Sequence, residues 1–154
     1  MQKIFSREAL RRQVEAWRAA GDQIVLTNGC FDLLHVGHIR YLRGAQQAAP
    51  RARVVVAINS DSSARRLKGE GRPRIPEAER AEVVAALSDV DAVVVFSEPD
   101  VRAIIRELRP HIHAKGTDYT PESVPERDEV AAVGGRVLIV GDPKAHSSTA
   151  LLRK

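Results

Sequence analysis

Apolar residues gather along this chain in short, nearly unbroken runs, separated by stretches with helical spacing. The runs at 24–27, 53–58, 92–96 and 136–140, with a weaker one at 111–114, are rich in Val and Ile and predict strands. Polar residues do not alternate within them, which predicts strands buried on both faces, as in a parallel sheet covered by helices. Between the runs, helices are predicted at about 36–47, 60–67, 76–87, 99–108 and 125–133, with a last short one from Ser147. Ahead of the first strand, Ser6 can cap a helix at about 7–20, in which Ala9, Leu10, Val14 and Trp17 recur at helical spacing and which Gly21 closes.

Strand and helix thus alternate throughout, which predicts an α/β fold: one doubly wound, Rossmann-like parallel sheet of about five strands, with helices on both faces and a single domain over 1–154. In such a sheet, ligands bind outside the carboxyl ends of the strands, where the winding reverses. The segment 68–76, with Gly69, Gly71, Pro73 and Pro76, reads as a mobile loop.

Composition narrows the function classes. The 154 residues are 44% hydrophobic but only 4% aromatic, so the core is aliphatic and offers little surface for stacking bases. The 24 basic residues are interspersed with 20 acidic ones, and the net charge of +4 suits small phosphorylated ligands better than nucleic acid. Cys30 is the only cysteine, which excludes an intrachain disulfide and a cysteine-rich zinc module and fits a reducing cytoplasm. No apolar run is long enough to cross a bilayer and no signal-type segment opens the chain, so a soluble, unprocessed protein with no membrane partner is expected.

The candidate chemistry follows the first strand. Asn28, Gly29, Cys30, Phe31 and Asp32 fall at its carboxyl end, facing the expected crevice. His35 and His38 come next, and a helix from Val36 would put His38 in its first turn with His35 on the same side. Unpaired amides and the positive end of the helix dipole there favour an anion, and Gly37 leaves room for a phosphate. Two imidazoles so placed can donate hydrogen bonds to the oxygens of a leaving pyrophosphate, as electrostatic stabilisers and not nucleophiles. A transition-metal site is not expected, because no recognised zinc spacing follows. Neither a P-loop nor a dinucleotide-binding glycine pattern occurs.

The run Thr27-Asn28-Gly29-Cys30-Phe31-Asp32-Leu33-Leu34-His35-Val36-Gly37-His38 resembles the HxGH nucleotidyltransferases of the cytidylyltransferase-like family. Further segments occur in the family's order: Asn59 to Ser63, Arg66-Leu67-Lys68-Gly69, Arg72-Pro73, Glu79-Arg80, Val90-Asp91, Lys115 to Tyr119, and Ser147-Ser148-Thr149. Within the family, the Thr-Asn-Gly start, Arg-Leu-Lys-Gly with Arg-Pro, and Lys-Gly-x-Asp-Tyr are most similar to the branch that adenylylates D-glycero-β-D-manno-heptose 1-phosphate. That branch often forms the C-terminal half of a bifunctional sugar kinase/adenylyltransferase.

The resemblance implies transfer of AMP from ATP to a sugar 1-phosphate, with Mg²⁺ bound to the nucleotide and pyrophosphate leaving. It implies catalytic roles for His35, His38, Lys68 and Arg80, with Lys68 closing on the phosphates from the loop after the second strand. Asn28, Gly29, Cys30, Phe31, Gly37, Lys115, Gly116, Asp118, Ser147, Ser148 and Thr149 are the implied nucleotide-binding positions, and Asp32 and Arg72 the substrate-binding ones. Asp118 could orient the ribose, the sugar or an Mg²⁺ shell. Trp17 and the Cys30 thiol read as packing groups. The chain departs from the family before its last helix: Asp142 to His146 match neither the arginine-containing segment of the glycerol-3-phosphate cytidylyltransferases nor the Gly-Cys-Ser-Thr of the heptose branch, which makes Lys144 and His146 candidates for the missing charge. A homodimer or higher homo-oligomer is expected from relatives. The competing readings are a CTP-dependent enzyme acting on a polyol phosphate such as glycerol 3-phosphate, a non-catalytic nucleotide-binding module, and an RNA-binding domain.

Overall fold

The computed structural model describes residues 2–143 and 151–152. Its elements run α1 (Arg7–Ala19), β1 (Gln23–Gly29), α2 (Val36–Gln46), β2 (Ala52–Asn59), α3 (Asp61–Lys68), α4 (Glu77–Ala85), β3 (Ala92–Phe96), α5 (Arg102–Leu108), β4 (Ile112–Lys115), α6 (Arg127–Ala132) and β5 (Arg136–Ile139). The five strands form one sheet in the order β3-β2-β1-β4-β5, and every pairing is parallel. This is a Rossmann-like α/β fold.

The unbroken apolar runs divide between two cores. Along β2, Val54, Val56 and Ile58 pack on one side of the sheet with Leu42 and Ala45 of α2 and Ala81 and Val84 of α4. Val55 and Ala57 face the other side with Leu10 and Val14 of α1, Ile104, Ile105 and Leu108 of α5, and Val130 of α6. Residues two apart share a face of a strand, so a strand covered twice must be apolar at every position. The short segment before α1 protects the sheet's outer edge: Ile4 bridges to Val93, with Phe5 N donating to Val93 O at 2.9 Å and Val93 N to Lys3 O at 2.8 Å.

Chain order places the winding reversal. After β1 the chain steps outward to β2 and β3, then returns to the other side of β1 for β4 and β5. The crevice therefore opens between the carboxyl ends of β1 and β4. Close approach of backbone builds its wall. A Cβ on Gly44 of α2 would lie 2.9 Å from Val140 Cβ and 3.1 Å from Gly141 N, so the segment leaving β5 lies directly on that helix.

The observed bounds differ from expectation at several ends. β1 continues through Asn28 and Gly29, which pair with Ala57 and Ile58, so these residues are strand and not loop. α3 runs through Lys68 and ends at Gly69, whose φ of 95° no other residue type adopts easily. α5 starts at Arg102, not near Pro99, because Asp100 Oδ1 accepts from Arg102 N at 3.0 Å and holds the preceding residues in a turn. The helix expected from Ser147 lies outside the described residues.

Candidate active site

At the carboxyl ends of β1 and β4 lies a cavity of about 660 Å³. It gathers Asn28, Gly29, Cys30, Phe31 and Asp32 from β1 and its loop, His35, Gly37 and His38 at the start of α2, Lys68 and Arg72, and Lys115, Gly116 and Asp118 after β4. Of the predicted site residues that the structure describes, only Arg80 does not line it. Ser147, Ser148 and Thr149, with Lys144 and His146, lie outside the described residues.

The helix start is built by the histidines themselves. His35 is the N-cap of α2, and its Nδ1 accepts from Gly37 N at 3.0 Å. His38 Nδ1 accepts the backbone N–H of His35 at 3.3 Å, which makes the capping reciprocal. A ring nitrogen that accepts carries no proton, so each neutral imidazole holds its hydrogen on Nε2. The rings stand 4.0 Å apart between centroids, and Phe31 leans on His38 at 5.2 Å. Phe31 itself sits at a φ of 51° and covers Gly29, where a Cβ would come within 3.0 Å of the Phe31 ring.

This arrangement corrects one expectation. Gly37 N is taken up by the His35 ring and His38 N donates to His35 O at 3.0 Å, so these two first-turn amides do not present themselves to an anion. The imidazole N–H groups and the helix dipole are the attractive elements there.

Asp32 is almost fully buried and receives four hydrogen bonds: Arg72 Nε at 2.7 Å, Arg74 N on both oxygens at 2.9 and 3.0 Å, and Ile75 N at 3.0 Å. Burial alone would raise its pKa, but the two backbone amides and Arg72 hold it below the usual carboxylate range. Its carboxylate therefore pins the segment 72–75 to the loop after β1, and Lys68 enters the cavity from the end of α3.

Arg80 is 1% exposed. It donates to Ile75 O at 2.8 Å, Cys30 O at 2.6 Å, Asn59 O at 2.8 Å and Asp61 Oδ1 at 2.9 Å. One planar guanidinium thereby ties together the loop after β1, the end of β2, the start of α3 and the entry to α4. The Cys30 thiol donates to Asn59 Oδ1 at 3.6 Å, and burial pushes its pKa up against the opposing pull of Lys68, Arg80 and Arg72.

On the β4 side, burial pushes the Lys115 pKa down while the Glu126 and Asp118 carboxylates oppose the shift. Lys115 Nζ lies 4.5 Å above the Tyr119 ring, a cation–π contact at the cavity wall. Thr117 Oγ1 donates to Asp142 O at 2.7 Å, and Arg40 of α2 bridges to the Asp142 carboxylate at 2.9 Å, so the segment after β5 is tied to both sides of the opening.

Tyr41, Asn59 and Asp142 are among the cavity residues to which the sequence reading gave no role in the site. Tyr41 is half-buried, its hydroxyl donates to Ala114 O at 2.5 Å, and desolvation pushes its pKa up. Its signal in the sequence was a lone hydroxyl on the inner face of α2; that of Asn59 was a polar residue ending an apolar strand.

Comparisons with known proteins agree with this geometry. Residues 26–153 match the model of a family described as Cytidylyltransferase-like. The bifunctional protein HldE of Pelobacter propionicus is 48% identical over 152 residues, covering 99% of this chain and 31% of that protein. The bifunctional protein HldE of Geobacter metallireducens is 47% identical, with the same coverage of each. This chain spans about a third of the length of these relatives. Among solved structures, the lipopolysaccharide core biosynthesis protein from Thermoplasma volcanium superposes with a TM-score of 0.67 at 25% identity, covering 79% of this chain and 98% of that one. Among the described residues, no helix is long and apolar enough to cross a membrane.

Proposed function

The chain belongs to the cytidylyltransferase-like family, and from that premise we propose that it transfers AMP from ATP to D-glycero-β-D-manno-heptose 1-phosphate, giving ADP-heptose and pyrophosphate. The observation that carries the chemistry is the reciprocal capping of His35 and His38 at the cavity floor, which fixes two imidazole N–H donors at a helix N-terminus. The choice of ATP and heptose rests on the near full-length likeness to the HldE proteins.

In this reading a phosphate oxygen of the sugar phosphate attacks the α-phosphorus of ATP. A new P–O bond forms, the bond from the α-phosphorus to the bridging oxygen breaks, and pyrophosphate leaves with the electron pair. Such a displacement needs alignment and neutralisation of charge more than covalent help. His35 and His38 donate to the oxygens that gain charge, and Lys68, on its flexible stem at the end of α3, reaches the α-phosphate and the incoming phosphate. Gly37 gives the phosphates room, and Lys115, Gly116 and Asp118 line the nucleotide side with Asn28, Gly29, Cys30 and Phe31.

Two of the predicted roles shift within this proposal. Arg80, sealed beneath the cavity, acts as a positioning residue, and Asp32 and Arg72 order the segment behind Lys68. A Mg²⁺ bound to the triphosphate would neutralise charge on the leaving pyrophosphate, and Asp118, exposed at the cavity wall, would be a carboxylate for its hydration shell. The described residues hold no cluster of ligands suited to a separate resident metal. We read 1–154 as one domain, acting in the cytoplasm and as a homo-oligomer.

The test is pyrophosphate release with Mg²⁺ and each of ATP, CTP, GTP and UTP against a panel of sugar and polyol phosphates. Release specific to ATP with the heptose 1-phosphate is expected. Preference for CTP with glycerol 3-phosphate replaces the substrates and keeps the chemistry; silence across the panel overturns the reading.

A further inference from the structure

We infer that His113 is a positioning residue that locks the side chain of Asn28, so that Asn28 meets the cavity as a hydrogen-bond donor. His113 lies in β4, is fully buried, and places Nε2 2.9 Å from Asn28 Oδ1. Asn28 lines the cavity one strand away, next to Gly29. The other ring nitrogen, His113 Nδ1, is buried and has no hydrogen-bond partner among the described residues.

That unpartnered atom settles the direction of the bond. One neutral tautomer carries its proton on Nε2, donates it to Asn28 Oδ1 and leaves a bare lone pair at Nδ1. The other carries it on Nδ1, accepts from a flipped Asn28 amide and leaves a buried N–H with nothing to bind. An orphaned buried N–H is rarer and costlier than an under-used acceptor, so the first arrangement is favoured. A charged ring would bury both an N–H and a charge; desolvation, with Lys115 on the same strand, lowers the His113 pKa to about 3 and keeps the ring neutral. With Oδ1 turned to His113, the Nδ2 amide is the end of Asn28 that faces a ligand.

The consequence is one of polarity. Asparagine alone can serve a donor or an acceptor, but this Asn28 selects an oxygen acceptor such as a phosphate or ribose oxygen. The inference rests on the nucleotide-binding reading for its ligand, and on the His113 geometry alone for its mechanism.

Two measurements test it separately. In ligand-free protein labelled with ¹⁵N-histidine, His113 is expected to show a protonated Nε2 and a bare Nδ1. A proton on Nδ1, or a mixture of tautomers, overturns the inference. The second uses calorimetric binding of MgATP to His113→Gln and His113→Leu. The Gln amide nitrogen reaches the place of Nε2 and can still donate to Oδ1, so Gln is expected to bind within threefold of the parent, and Leu at least tenfold more weakly. Equal loss in both, or none in Leu, makes His113 packing only and overturns the inference. If neither variant folds by circular dichroism, the tautomer decides. A parent protein that does not bind MgATP overturns the nucleotide reading, and the tautomer result still decides the His113 mechanism.

Discussion

The backbone N–H of His35 donates to Nδ1 of His38 at 3.3 Å, while the His35 ring caps the helix in return. Each residue thus has two functions, a cap through Nδ1 and a donor through Nε2, and substitutions can separate them. His35→Asn keeps a good N-cap but loses the Nε2 donor, so stability is expected within about 1 kcal/mol of the parent while turnover falls about 100-fold. His35→Ala loses both and should show the same fall in rate plus about 1 kcal/mol of destabilisation. Denaturant midpoints and pyrophosphate release check the two effects; normal turnover in His35→Asn would remove the histidine from the mechanism.

Lys68 closes α3 with its side chain exposed at the cavity, so its removal is structurally cheap. Lys68→Met keeps the apolar stem and removes only the charge. We expect stability within about 0.5 kcal/mol and a kcat lowered at least tenfold with little change in nucleotide affinity. Steady-state kinetics beside MgATP titration check this, and a rise in KM alone would reassign Lys68 to ground-state binding.

Asp32 gives the opposite profile, because every acceptor direction on its carboxylate meets a donor from Arg72, Arg74 or Ile75. Asp32→Asn turns one oxygen into an NH₂ that faces those N–H groups. A loss of about 2–3 kcal/mol is expected, together with faster proteolysis within 69–75. Limited digestion followed by mass spectrometry checks the site of cutting; cleavage unchanged from the parent would show that Asp32 does not pin this segment.

How far the sequence could be read depends on whether a residue's role is local. The start of α2 was legible because a cap is set by its neighbours in the chain, and the five parallel strands because burial on both faces leaves an unbroken apolar run. Arg80 was less legible. It lies on α4 among Glu77, Glu79 and Glu82, a pattern that reads as a solvated face, yet it turns inward because the nearby Ile75 carbonyl and, from distant segments, the Cys30 and Asn59 carbonyls and Asp61 converge on it. The same holds for His113, a polar residue in an apolar strand whose partner is 85 positions away. Partnerships made across the fold leave no periodic trace.

Arg80 should therefore matter for folding before it matters for rate. Arg80→Met removes a buried charge but leaves the Cys30 and Asn59 carbonyls without their donor, and Arg80→Lys supplies a point charge that cannot span four acceptors. Both are expected to lose about 3 kcal/mol or more in denaturant unfolding. A stable Arg80→Lys protein with lost turnover would instead place Arg80 on the substrate.

The last expectation concerns acid. His113 has a pKa of about 3 in the folded protein, lowered by burial and by Lys115, against about 6.5 for an exposed histidine in the unfolded chain. Above pH 6.5 both states are neutral at this residue and it contributes no pH dependence. As pH falls from about 6.5 towards 3, the unfolded chain takes up a proton that the folded chain refuses, so stability drops by up to about 1.4 kcal/mol per pH unit. His113→Leu removes that proton from both states. Guanidinium unfolding of parent and variant at pH 7.5 and 4.5 is expected to show a loss on acidification about 2.5 kcal/mol smaller in the variant, whatever its stability at neutral pH. Equal losses would mean that His113 is protonated in the folded protein, and the neutral ring bonded to Asn28 would have to be abandoned.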